Sequence, residues 1–132
     1  MATFTENEYA FLLHQSLGRL ATTGPNGPQN HPVWYRVNGD TGTVDVGGIR
    51  LTGSQKYRNV RADPRVSLVV DEPDRPGESD GRGLEIRGRV EIVRLATPLF
   101  DGFSNETMRI HPRRILAWNL DGPGYNIRDV RA

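Results

Sequence analysis

From residue 19 onwards the sequence alternates apolar and polar residues with a period of two, and short turns rich in Gly, Pro and Asn interrupt the alternation. The clearest stretch is residues 84–93, in which Leu84, Ile86 and Val90 alternate with charged side chains. This pattern is typical of strands with one buried face. Turns as short as residues 24–27 join only antiparallel strands, because a parallel crossover needs about a dozen residues or more. We therefore predict a mainly β chain with roughly six strands in a closed or partly closed barrel.

Two short helices accompany the predicted strands. Thr5 is placed to cap the first helix, and Glu8 completes a capping box with it. This helix is expected to end at Gly18. The second helix is predicted over residues 55–62, with Ser54 as its cap.

Two later segments carry further expectations. Residues 65–71 form a nearly continuous apolar run, which predicts a strand covered on both faces. Residues 72–82 combine charges with Pro and Gly and are expected to form an exposed, mobile loop. No repeat or change in composition divides the chain, so residues 1–132 are expected to form one domain.

The composition argues against several classes of protein. The chain has no Cys, which excludes disulfides, thiolate metal sites and a Cys nucleophile. It begins without the basic and apolar regions of a signal peptide, and no apolar run approaches the roughly 18 residues of a membrane span. We therefore expect a cytoplasmic protein without membrane contact. The net charge of +1 does not favour nucleic acid as a partner.

The segment around the second predicted helix has the chemistry of an anion site. The first amides of a helix have no intrahelical partner and, with the helix dipole, attract a negative charge. Thr52 and Ser54 add hydroxyl groups there, and Arg50 and Lys56 add positive charge. The spacing is not that of a P-loop. The alternative interpretation is an ordinary capped surface helix with solvated basic residues.

An aromatic strand and two histidines are further candidates. Residues 32–35 combine a proline with Val, Trp and Tyr, which suits a wall for a planar ring, although such a run is more often core or interface. Histidine side chains can donate and accept protons near neutral pH, so His31 and His111 are candidate general acids, with a structural role as the alternative. No Ser–His–Asp set or carboxylate pair stands out, so any catalysis is expected to rely on a cofactor.

Several segments resemble the pyridoxamine-phosphate-oxidase-like split β-barrel superfamily. The run KYRNVRADPRV at residues 56–66 is similar to that of its actinobacterial F420-binding members. Residues 83–91 and 109–115 look like the subgroup that includes the F420-dependent dehydrotetracycline reductases. Three further segments also resemble the superfamily, namely residues 18–22, 31–33 and 44–48.

The resemblance implies a homodimeric split barrel with two equivalent cofactor sites at the subunit interface. The cofactor phosphate is expected at residues 52–58 and its ring along residues 32–35, with the partner subunit completing the pocket. Dimerisation is also expected because Trp34 and Trp118 leave too much apolar surface on a lone barrel. The expected cofactor-binding residues are Pro32, Val33, Trp34, Tyr35, Arg50, Thr52, Ser54, Gln55, Lys56, Arg58 and Trp118.

The implied activity is hydride transfer from reduced F420 to an electron-poor C=C bond of a small organic substrate. Membership of the dehydrotetracycline reductase subgroup would imply a tetracycline-type polyketide as the substrate. Tyr35, His111 and Tyr125 are the candidate proton donors, with bound water as the alternative. Arg50, Arg58 and Arg61 would suit the acidic tail of F420.

Two other hypotheses stay open from the sequence. The first keeps the fold and replaces F420 with FMN, which gives a flavin oxidase or reductase. The second is a protein without turnover that binds flavin, deazaflavin or haem.

Overall fold

A computed structural model describes residues 3–73 and 81–130. It confirms the mainly β architecture and both predicted helices. The elements are α1 (Glu6–His14), β1 (Leu17–Gly24), β2 (Gly27–Asn38), β3 (Thr43–Val46), a 3-10 turn (Leu51–Gly53), α2 (Gln55–Ala62), β4 (Arg65–Glu72), β5 (Arg82–Arg94), β6 (Glu106–Trp118) and β7 (Tyr125–Asp129).

The strands form an antiparallel sheet in the order β3-β2-β1-β4-β5-β6-β7. β3 also pairs with β6, with Val44 opposite Ile110, and this pairing closes six strands into a barrel. β7 lies outside the closed set and extends β6. The long β5 and β6 pair along most of their length, with one irregularity at Gly88, where an added Cβ would overlap the His111 carbonyl oxygen.

The core lies inside the barrel and is filled by the inward half of each alternating strand. Leu20, Leu68, Ile86 and Ile115 are all fully buried. The expectation that β4 is covered on both faces is wrong, because its burial alternates and Val69 is partly exposed. Only one face of a barrel strand meets the core, so the outer face of β4 lies open in the single chain.

Local chemistry explains the start and end of α1. The Thr5 side chain accepts from the Glu8 amide and the Glu8 carboxylate accepts from the Thr5 amide, so the predicted capping box is confirmed. The helix ends at His14 rather than at Gly18. It ends early because Gln15 is extended and the chain from Leu17 onwards already pairs with β2.

The predicted loop over residues 72–82 is shorter than expected at both ends. Glu72 belongs to β4 and Arg82 to β5, and the two residues pair across the strands with an ion pair of 2.6 Å. Residues 74–80 lie outside the described residues. Within the described ranges, neither helix is long and apolar enough to cross a membrane.

A buried ion pair joins the two ends of the described chain. The Glu8 carboxylate is fully buried and accepts two hydrogen bonds from the Arg128 guanidinium, at 2.6 and 2.7 Å. Arg128 also donates to the Thr3 carbonyl at 2.8 Å. This ion pair therefore holds α1 against β7.

We predict that Arg128→Met destabilises the protein by about 3 kcal/mol, since it leaves the buried Glu8 charge uncompensated; this is the lower end of the range because Arg128 is partly exposed. The matched control Arg94→Met removes an exposed partner of Glu106 and should cost less than about 1 kcal/mol. Urea unfolding of the three proteins measures both changes. Equal losses in the two variants would contradict the assignment.

Candidate functional site

The start of α2 is held in place by side chains on both sides. The Ser54 hydroxyl accepts from the Tyr57 amide at 3.3 Å and donates to the Leu51 carbonyl at 2.6 Å. The buried Asn59 side chain donates to Thr22 of β1 and Gln29 of β2, at 3.0 and 2.8 Å. Asn59 thus binds α2 to the β1–β2 hairpin, and Ser54 caps the helix as predicted.

Lys56, in the first turn of α2, is the only lysine in the chain. Its side chain is half-buried, and this burial lowers the pKa of its ammonium group. Within residues 3–73 and 81–130 that group makes no hydrogen bond or ion pair. A partly desolvated cation without a counter-charge at a helix N-terminus is suited to receive an anion.

The other predicted phosphate-binding residues divide into two groups. Arg50 and Thr52 are exposed beside the helix start. Arg58 donates to the Gly53 carbonyl and to the Gln55 side chain, at 3.0 and 2.8 Å. Gln55 donates in turn to Asn59, so Arg58 and Gln55 already stabilise the loop.

The predicted wall along β2 is split between the two faces of the strand. Pro32 and Trp34 point outward and are exposed, whereas Val33 and Tyr35 are buried in the core. The Tyr35 hydroxyl donates to the Leu12 carbonyl at 2.7 Å, and burial raises its pKa well above the ordinary value. These placements count against the Tyr35 hydroxyl as a proton donor and against the Val33 side chain as a wall. Pro32 and Trp34 remain as candidates for the wall that contacts a planar ring.

An aromatic group beside Trp34 escaped the sequence analysis. The Phe100 ring lies 6.5 Å from Trp34 and 5.2 Å from Phe103, edge to face in both cases. The Arg36 guanidinium lies over Phe100, 4.9 Å from the ring centroid. The sequence held one hint of this contact, the glycine at position 47 directly after β3. A larger residue there would place its Cβ 2.8 Å from the Phe103 ring.

The remaining candidates lie on β6 and β7. Trp118 is opposite Gly83 and Tyr125, and Tyr125 is 79% exposed. β3 lies between β2 and β6 on one side of the barrel, and β1, β4 and β5 lie between them on the other, so a single chain does not place Trp118 on a strand next to that of Trp34. The His111 Nε2 lies 2.9 Å from a Glu91 carboxylate oxygen, and both side chains are partly exposed.

A split barrel with this site defines a known class of protein, and the chain belongs to the pyridoxamine 5'-phosphate oxidase family, whose model matches residues 4–123. It is 35% identical to the 5a,11a-dehydrotetracycline/5a,11a-dehydrooxytetracycline reductase of Streptomyces rimosus, over 98% of this chain and 94% of that protein. The predicted superfamily and the resemblance to the dehydrotetracycline reductase subgroup are therefore confirmed.

Two solved structures are similar over most of their length. An F420 reductase is 28% identical with a TM-score of 0.65, over 85% of this chain and 98% of that chain. A conserved hypothetical protein of Mycobacterium tuberculosis is 26% identical with a TM-score of 0.66, over 87% of this chain and 84% of that chain. The names of the family, the Streptomyces relative and the first structure all denote oxidoreductases and support that class for this chain.

We predict that the Lys56 ammonium titrates at a lower pH in the folded protein than in the same protein unfolded in urea. The unfolded state then binds more protons between the two pKa values, so stability rises with pH through that interval. Carbon-13 reductive methylation marks only Lys56 and the amino terminus, and NMR follows each signal with pH. Lys56→Arg removes the Lys56 signal and assigns it. Equal midpoints in the two states would contradict the burial argument.

Proposed function

We propose that this protein is an F420-dependent oxidoreductase that transfers a hydride from reduced F420 to the electron-poor C=C bond of a conjugated enone. The proposed substrate class is a tetracycline-type polyketide. The names of the Streptomyces relative and of the F420 reductase support this assignment. The observation in the chain that carries it is Lys56, a half-buried cation without a described partner at the start of α2.

The residues at this position fit the anionic part of such a cofactor. Lys56 would hold a phosphodiester oxygen together with the first amides of α2, and the exposed Thr52 and Arg50 would flank it. Pro32 and Trp34 present an apolar outer surface on β2 for a planar ring. A neutral ligand would leave the Lys56 charge uncompensated, so an anionic group is favoured.

The bound deazaflavin would supply the hydride, and the chain would supply orientation and exclusion of water. Trp34 would position a planar ligand by its exposed face, since aromatic side chains contribute apolar area with defined geometry. A proton must also reach the product. With the Tyr35 hydroxyl committed to Leu12, the protein donors that we propose are His111 and Tyr125, which are both solvent-accessible.

The homodimer is part of the proposal, because the outer face of the barrel carries exposed apolar side chains in two groups. Leu17 and Trp34 are directly opposite each other on β1 and β2 and are each about half exposed. Tyr125 and Ile127 are exposed on β7, beside Trp118. Packing the first group of one subunit on the second group of its partner would bury both and would bring the partner's Trp118 to the site.

FMN is the second candidate cofactor, since the chain belongs to a family named for pyridoxamine 5'-phosphate oxidase. FMN carries a phosphate monoester that Lys56 would hold equally well. The two cofactors are distinguished by fluorescence titration of the purified protein. Tighter binding of FMN than of F420, with turnover in air, would replace the proposed cofactor.

We predict that the protein oxidises reduced F420 in the presence of a dehydrotetracycline, and that Lys56→Ala weakens F420 binding by about 1.5–3 kcal/mol, or roughly ten- to a hundredfold. Lys56→Arg keeps the charge and should retain most of the affinity. The melting temperature of empty Lys56→Ala should stay the same or rise, because a desolvated charge is removed. Unchanged F420 affinity in Lys56→Ala would place the phosphate elsewhere.

For the dimer, light scattering at micromolar concentration should give twice the chain mass. Trp34→Arg should shift the equilibrium to monomer, since it places a charge in the proposed apolar contact. Arg94→Gln, on an exposed ion pair, serves as the control and should stay dimeric. A monomeric wild-type protein would overturn this part of the proposal.

A further inference from the structure

A large groove lies on the outer face of the barrel, across β1, β4, β5 and β6. Its volume is about 580 Å³, within the range of small-molecule sites. Among the described residues, those that line it include no Asp or Glu. It is instead lined by four arginines, Arg65, Arg87, Arg89 and Arg113.

The sheet register places like charges directly opposite each other around this groove. Arg65 of β4 is opposite Arg89 of β5, and Arg87 of β5 is opposite Arg114 of β6. Like charges in directly opposite positions destabilise an antiparallel pair. Two such arginine pairs lie in neighbouring parts of the sheet, and a bound anion would offset the repulsion within them.

Carboxylates compensate only part of this charge. Arg65 binds Asp63 at 2.8 Å, and the pKa of Asp63 falls to about 2 mainly through that hydrogen bond, with a smaller contribution from the charge of Arg89. Arg87 binds Glu85 at 2.9 Å, and Arg114 binds Asp129 at 3.0 Å. Within the described residues, neither the Arg89 nor the Arg113 side chain makes a hydrogen bond or ion pair. Two guanidinium groups therefore have no carboxylate bound to them.

The floor between the arginines is mainly apolar. Ala21 and Pro28 line it together with Gly88 and the core residue Val66, and Thr22 and Thr23 add hydroxyl groups. The Ser67 hydroxyl, which also lines the groove, already donates to Glu85 at 2.6 Å. The floor therefore favours an apolar body, and the uncompensated guanidinium groups favour acidic groups on that body.

We propose that this groove is a second binding site, separate from the start of α2, for an organic dianion with an apolar body, such as an aromatic dicarboxylate. Arg89 and Arg113 each bind one acidic group of the ligand, and Ala21 and Pro28 contact its apolar part. Arg65 and Arg87 contribute positive potential while they stay paired with Asp63 and Glu85. The site does not depend on which cofactor the protein uses.

The probe for this site is naphthalene-2,6-dicarboxylate, measured by calorimetric titration at about 0.15 M salt, where exposed charges are screened beyond about 8 Å. The monoanion 2-naphthoate is the matched ligand. We expect the dianion to bind the wild-type protein at least about tenfold more tightly than the monoanion, because it engages both guanidinium groups. Equal affinities, or no binding of the dianion at millimolar concentration, would overturn the proposal.

The matched variants are Arg89→Gln/Arg113→Gln and the control Arg82→Gln/Arg94→Gln, which removes the same charge from exposed ion pairs outside the groove. The first should lose at least about tenfold in dianion affinity and the second less than about threefold. Equal losses would mean that only net charge matters. Both should keep the F420 affinity of the wild type. Displacement of F420 by the dianion would assign the groove to the cofactor site and overturn the proposal.

Discussion

The fold depends on the four-residue strand β3, which pairs with β2 on one side and with β6 on the other. Without those two pairings the sheet would be open and its apolar face would have nothing to enclose. All four residues of β3 are buried, and Asp45 accepts two hydrogen bonds from Arg109 of β6, at 3.0 and 3.1 Å. The strand also leads directly into Gly47 and the loop before α2, so closure of the barrel determines where the site begins.

Stability and binding alternate along the same strands. On β2, Tyr35 and Val33 fill the core while their neighbours Trp34 and Pro32 face outward. On β4 and β5 the inward Leu68 and Ile86 are fully buried, and the outward arginines border the groove. A change on the outer face would therefore alter the proposed ligand contacts with little effect on the core, whereas a shift of one residue in register would exchange the two sets.

Much of the fold was predictable because its signals are local. The alternation over residues 84–93, the turn at residues 24–27 and the caps Thr5 and Ser54 all depend on neighbouring residues, and the structure has them as expected. The burial of Lys56 and the contact of Phe100 with Trp34 depend on segments far apart in sequence, and residues 97–105 carry no periodicity that would place them. The open outer face of β4 was missed because an apolar run looks the same whether one face or both are covered.

Barrel closure also has a consequence for how the chain meets other chains. Each of the six barrel strands has a partner on both sides for at least part of its length, whereas β7 among the described strands pairs only with β6. The other edge of β7 is five residues long, and Arg128 and Asp129 near its end are bound to Glu8 and Arg114. Short edges that carry charges resist the strand-to-strand addition from which aggregates grow. The edge of β7 is therefore poorly suited to strand addition, and the dimer that we propose would form through side chains on the outer face instead.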